Sequence, residues 1–278
     1  MSKFDGRQGG MMSIRPVGQG NAIAACKFTL VFAGEDGLAD DQVIRVASDV
    51  LGGALPSINE LQHATFEAVP GSMTAKVRNS GFRRFSTGPD GSKDWEAELV
   101  RQSFSITCFT YTRWDDVAGR ACSMFGRTLH KMQAISNPLQ LAACVLTVVD
   151  KFVHQSAECD HPIDDVFDAN CEFLTPQSRK SGRLWHVHQG WFESAGDQRS
   201  HRALHTLNLS SRLEKEDLVT TIEHSAHTQY LEGFKFLTNS ADVINDSLLE
   251  SFHSLHIRNK EILRQSLSIE NRRTIGLD

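Results

Sequence analysis

The strongest constraint on this chain is the order in which its hydrophobic period changes. Segments of period two follow one another in runs, and each run closes on one long segment of period 3.6. "CKFTLVFAG" (26–34) is apolar and rich in strand formers. "DDQVIRVASDVLGG" follows, with Val43, Val46, Ala47, Val50 and Leu51 at helical spacing before a Gly-Gly stop. "HATFEAV" (63–69) reads as a strand, and "GFRRFSTGPDGSKDWEAELVRQ" reads as a hairpin around the turn signal "GPDG". "SFSITCFTYT" (103–112) is the next strand. It leads into a helix whose stripe is Trp114, Val117, Ala121, Met124, Phe125, Leu129 and Met132.

The pattern restarts after Asn137-Pro138. "LQLAACVLTVVDKFV" (139–153) is the most apolar run and reads as a buried strand. "IDDVFDANCEFL" (163–174) reads as a short helical insert, followed by three alternating strands in "LWHVHQGWFES", "HRALHTLNLSSRLE" and "LVTTIEHSAHTQYL". A last helix is expected from Ser247, which with Glu250 has capping-box spacing, through Leu248, Phe252, Leu255 and Ile262.

Laid out in order, this is β-α-β-β-β-β-α and then β-(α)-β-β-β-α. The expected fold is therefore α+β: a long curved antiparallel sheet from two β-α-β(3-4)-α halves, in the manner of the TATA-binding protein. The alternative is a helix-grip fold, in which one sheet wraps the C-terminal helix around a cavity. The expected divisions are a flexible arm over residues 1–21, a first half over 22–136 and a second over 137–278, all in one structural unit. The glycine-rich N-terminus has no apolar core of the signal-peptide kind.

Composition narrows the function. Hydrophobic residues make up 40% and charged residues 23%, as in ordinary globular chains. The net charge of −5 gives no pull toward nucleic acid or an anionic membrane. No run reaches the ~18–20 apolar residues of a membrane span. Six cysteines without a C-x-x-C pair read as free thiols of a reducing compartment, so a cytoplasmic location is expected.

"LWHVHQGWF" (184–192) holds the densest chemistry. Residues two apart on a strand point the same way, so His186 and His188 share a face with Leu184 and Phe192, and Trp185, Val187 and Trp191 take the other. On the next strands Leu207 and Leu209 separate from Thr206, Asn208 and Ser210, and Glu223 and His227 separate from Ile222 and His224. If the apolar sides face the helices, His186, His188, Asn208 and Glu223 converge on the uncovered face. Two imidazoles at this spacing can reach one ion, with Glu223, His224 or His227 as the third ligand, but no spacing selects one. The ordinary reading is a half-exposed sheet face carrying histidines. Neither a nucleophile elbow, a zinc-protease helix nor a phosphate loop is present. The Asp150-Lys151 pair reads as an ion pair at a strand end.

"VVDKF" (148–152), "LWHVHQGWF", "LNL" (207–209), "YTRWDDV" (111–117) and the tail "LHIRNKEILRQSLSIENRRTIGL" (255–277) resemble a sporadically distributed family of bacterial proteins of about this length, with no assigned activity. The resemblance spans residues 22–277. It implies a single unit and an accessory or defence-island role, and it carries over no catalytic residue. Two functional expectations follow. One is a non-catalytic intracellular binding or interaction protein, without cofactor or metal, whose contact residues include His186, His188, Trp185, Trp191, Phe192, Asn208 and Glu223. Its partner is a protein or a second copy of the chain, rather than nucleic acid. The other is a metal-dependent or acid/base enzyme using His186 and His188.

Overall fold

The computed structural model describes residues 14–18, 20–34, 41–69, 72–135, 139–154, 162–193, 201–235 and 240–278. For 63–69, 72–78, 162, 201 and 231–235 it describes the backbone alone. The protein is α+β, with a large ten-stranded antiparallel open sheet and several helices. The elements are β1 (Ile14–Pro16), β2 (Ile23–Phe32), α1 (Asp41–Leu51), β3 (Ser57–Val69), β4 (Ser72–Thr87), β5 (Lys93–Val100), β6 (Ser103–Cys108) and α2 (Trp114–Gln133). They continue with β7 (Gln140–His154), α3 (Pro162–Val166), β8 (Trp185–Glu193), β9 (His201–Glu214), β10 (Asp217–Lys235), α4 (Ala241–Ser266) and α5 (Ile269–Thr274).

The sheet order is β3-β4-β5-β6-β2-β7-β10-β9-β8, with β1 added beside β7. The two runs of strands meet where β2 pairs with β7, Phe28 opposite Leu146 and Cys26 opposite Val148. The most apolar run, β7, is thus one of the two strands at the middle of the sheet. Strand parity puts Cys26, Phe28, Leu30, Leu146, Val148 and Ile106 on one face, under α1, α2 and α4, where all are buried.

Local chemistry sets the boundaries. At the "GPDG" turn, the Gly88 amide donates to the Ser92 carbonyl (2.8 Å) and the Asp90 side chain accepts from the Ser92 amide (3.0 Å). Gly81 has φ +151, and a Cβ there would stand 1.9 Å from the Leu99 carbonyl oxygen, so the β4–β5 contact tolerates only glycine. Gly126 performs the same service for α2: a Cβ would meet the Ala241 carbonyl oxygen at 2.6 Å, where α4 begins against it.

Most of the buried apolar residues described fall into two clusters. The larger joins α1, α2 and the N-terminal half of α4 to the sheet, through Phe28, Phe104, Phe125, Phe252 and Leu255. The smaller joins α3, β8–β10 and the C-terminal half of α4, through Phe152, Phe167, Trp185, Leu207, Leu209, Ile222 and Leu263.

Three expectations need correction. The last helix begins at Ala241, capped by Ser240, and Ser247–Glu250 lies inside it, because Ile244 already packs in the core. The flexible arm cannot extend to residue 21: Ile14–Pro16 pair with Phe152–His154 and Ile14 is buried in the smaller cluster, while residues 1–13 lie outside the described residues. The insert is helical only over Pro162–Val166, with a single 3₁₀ turn at Ser178–Lys180. Five cysteines are buried and free, and Cys159 lies outside the described residues.

Candidate functional site

The register of β8, β9, β10 and β7 places the polar side chains in rows across the face that none of the described helices covers. His188 stands opposite Asn208, and Asn208 opposite Glu223. One row on, His186 stands opposite Ser210, Ser210 opposite Thr221, and Thr221 opposite Lys151. His188 Nδ1 hydrogen-bonds the Asn208 side-chain oxygen, which leaves the Asn208 amide hydrogens free to donate elsewhere. A hollow of about 380 Å³ lies among His186, Asn208, Ser210, Arg212, Thr221 and Glu223. The Thr221 hydroxyl in its lining is buried and has no hydrogen-bond partner among the described residues. Beside it, Glu214 accepts from both Lys151 (2.8 Å) and Arg212 (2.9 Å). The bonds to two cations hold the Glu214 carboxyl below the usual range.

The aromatic residues of "LWHVHQGWF" divide. Phe192 is 62% exposed on the same face as the histidines. The rings of Trp185 and Trp191 lie on the other side of β8, although Trp185 also lines the hollow. Strand parity turns Trp185 into the smaller core, edge-on to Phe167 with centroids 5.8 Å apart. Trp191 is half-buried between Phe173 (5.5 Å) and His205 (5.2 Å).

The register sets apart the candidate third ligands of the metal alternative. Glu223 is two strands from His188 with Asn208 between, a separation of about 10 Å between backbones. His224 points to the opposite face, and His227 lies two rows beyond Glu223. Among the described residues no three His, Cys, Asp or Glu side chains are grouped to hold an ion.

A second polar assembly lies on the helix-covered face, in the seam between the two apolar clusters. His224 sits between Ile222 and Ala226 on β10, His205 beside Leu207 on β9, and Asn259 between Leu255 and Ile262 on α4. Asn259 Nδ2 lies 3.1 Å from His224 Nδ1, His224 Nε2 lies 3.1 Å from His205 Nδ1, and His205 Nε2 lies 3.4 Å from Glu193 Oε2. Arg258 holds the same Glu193 oxygen and keeps that carboxylate an acceptor. The chain of bonds therefore has one direction. The Asn259 amide donates to His224, His224 donates to His205, and His205 donates to Glu193, with both imidazoles neutral. Burial pushes the His224 pKa down to about 3, reinforced by His205 and His227, and pushes His205 down as well.

Three more groups occupy this seam. Asp150, on β7 between Val148 and Phe152, is 1% exposed, and its Oδ2 has no partner among the described residues. Burial alone pushes its pKa up to about 7. The expected Asp150–Lys151 ion pair does not form, because neighbours on a strand face opposite ways and Lys151 bonds Glu214 instead. His256 stacks on Trp114 with centroids 3.8 Å apart, and burial pushes it down to about 4. Tyr111, close enough to feel the Asp150 charge, lines a hollow of about 530 Å³ with Asn21, Ile23, Ala24 and Phe109.

No family model matches the chain, and no curated protein matches it. A search of solved structures aligns it with the crystal structure of the di-domain ARO/CYC StfQ from the steffimycin biosynthetic pathway. That alignment has 8% identity, covers 87% of this chain and 96% of the other, and has a TM-score of 0.17. A likeness at that level carries no argument about fold or activity. Among the described residues no helix is long and apolar enough to cross a membrane.

Proposed function

We propose that the chain is a non-catalytic binding protein whose contact surface is the uncovered face of β8, β9 and β10, centred on His186, His188, Asn208 and Glu223. One observation carries the reading: the helices cover one sheet face, while the other presents rows of hydrogen-bonding side chains around a hollow. The side chains of His186, Ser210, Thr221 and Glu223 have no hydrogen bond or ion pair within the described residues, so their bonding capacity is left for a partner. Three cations on this face have carboxylate partners, Lys151 and Arg212 through Glu214 and Arg83 through Glu98, and with the net charge of −5 this favours a polar protein or small-molecule partner over phosphates.

The same proposal takes the architecture as two β-α-β(3-4)-α halves joined edge to edge, as in the TATA-binding protein. It is supported by α2 and α4 packing on one face, with the Phe125 and Phe252 rings 6.1 Å apart, rather than by one helix enclosed in a sheet. The resemblance to sporadically distributed bacterial proteins supports an accessory role. A second reading, acid/base chemistry, is favoured by the Asp150 carboxyl, poised near neutral pH close to the hollow that Tyr111 lines.

Affinity capture from an extract of the source cells, run in parallel with the His186→Ala/His188→Ala double variant, tests the proposal. A partner retained by the native chain and lost by the double variant is expected, with both preparations free of stoichiometric zinc, manganese and iron. A stoichiometric ion that the double variant loses would overturn it in favour of metal chemistry. Capture indifferent to both histidines would overturn it as well.

A further inference from the structure

β8 ends the sheet, and among the described residues no further strand pairs with its outer edge. It pairs with β9 along its whole length without a register shift. No backbone hydrogen bond joins it to any other described segment. Soluble proteins usually blunt such an edge with proline, lysine, a bulge or a very short strand. β8 has nine residues and none of these devices. The opposite end of the sheet is treated differently: β3 carries Glu60 and Glu67 in its sequence and its pairing slips at Leu61/Gln62. The single charge of β8, Glu193, is taken by Arg258 and His205 of its own chain.

We propose that β8 pairs antiparallel with β8 of a second copy, about a two-fold axis at Gln189, so that the two sheets become one. The sequence is complementary to itself in that register. On the uncovered face His186 meets Phe192 of the second copy, and His188 meets Gly190, an aromatic pair and a large side chain over a position with none. On the other face Val187 meets Trp191 and Trp185 meets Glu193, so no like charges oppose each other. A two-fold of this kind is closed, so assembly stops at two. Phe192, 62% exposed in the single chain, gains its missing cover. The pairing also brings the two candidate contact surfaces side by side, with each His186 flanked by an aromatic ring of the other copy.

The inference is independent of the partner-binding proposal and is tested by mass alone. Sedimentation equilibrium of the full chain at about 100 µM is expected to give twice the monomer mass. Phe192→Lys, at an exposed position that costs the fold little, is expected to weaken the dimer at least about ten-fold. The double variant H186D/F192K places opposite charges across each aromatic pair and is expected to regain dimerisation. A monomeric native chain would overturn the proposal. So would a dimer insensitive to F192K, or failure of the charge-swapped variant to recover.

Discussion

Replacing Phe252 with alanine is expected to cost about 3–5 kcal/mol of folding stability, read from urea unfolding. The ring is 0% exposed and lies where α4, α2 and β2 converge. It meets Phe28 edge-on at 5.1 Å and stacks beside Phe125 at 6.1 Å. Those neighbours are anchored in a strand and a helix, so they cannot collapse into the space a truncated side chain leaves. A cost near 1 kcal/mol would mean that α4 is loosely seated.

The next largest effect is expected from Asp150→Asn, and it should depend on pH. The folded carboxyl titrates near 7, against about 3.9 for an unfolded aspartate. Between those values the folded state holds a proton that the unfolded chain releases. Stability attached to this group is therefore present below about pH 4 and is lost as pH rises through 7. The asparagine variant removes that loss. It should equal the native chain near pH 4 and exceed it by about 2–4 kcal/mol at pH 8. Histidines in the same seam pull the other way. His205, His224 and His256 have lowered folded pKa values, so the stability they allow is present above about pH 6.5 and falls as the pH drops toward 4 and 3. Unfolding curves of both chains from pH 4 to 8 would show the two trends. A variant gain that does not grow with pH would contradict the burial of an unpartnered Asp150.

Much of this molecule was legible as pattern. Period two in "LWHVHQGWF" was enough to separate His186 and His188 from Trp185 and Trp191. The same parity placed Leu207 and Leu209 against the helices and Asn208 beyond them. What parity cannot give is register between strands, so the position of Asn208 between His188 and Glu223 emerged only from the pairing of β8, β9 and β10. The buried relay needs still more, because Asn259 reaches His224 only at one rotation of α4 over the sheet. A signal for it was nonetheless present: His205 and His224 fall on the apolar side of their strands, beside Leu207 and Ile222, where an imidazole must find partners inside the protein. Asp150 was visible as a charge in the most apolar run. Its pairing with Lys151 was the wrong inference because adjacent strand residues never share a face.

Covalent footprinting of histidines with diethyl pyrocarbonate tests the central claim most directly. The reagent modifies accessible imidazole nitrogens, and mass spectrometry assigns each modified residue. On the dilute, monomeric chain at neutral pH, His186 and His188 are expected to react rapidly, because both are exposed on the uncovered face. His205 and His224, buried and bonded at both ring nitrogens, should react only as fast as the protein unfolds. Protection of His186 and His188 together with reaction at His224 would reverse the two faces and contradict the proposed contact surface.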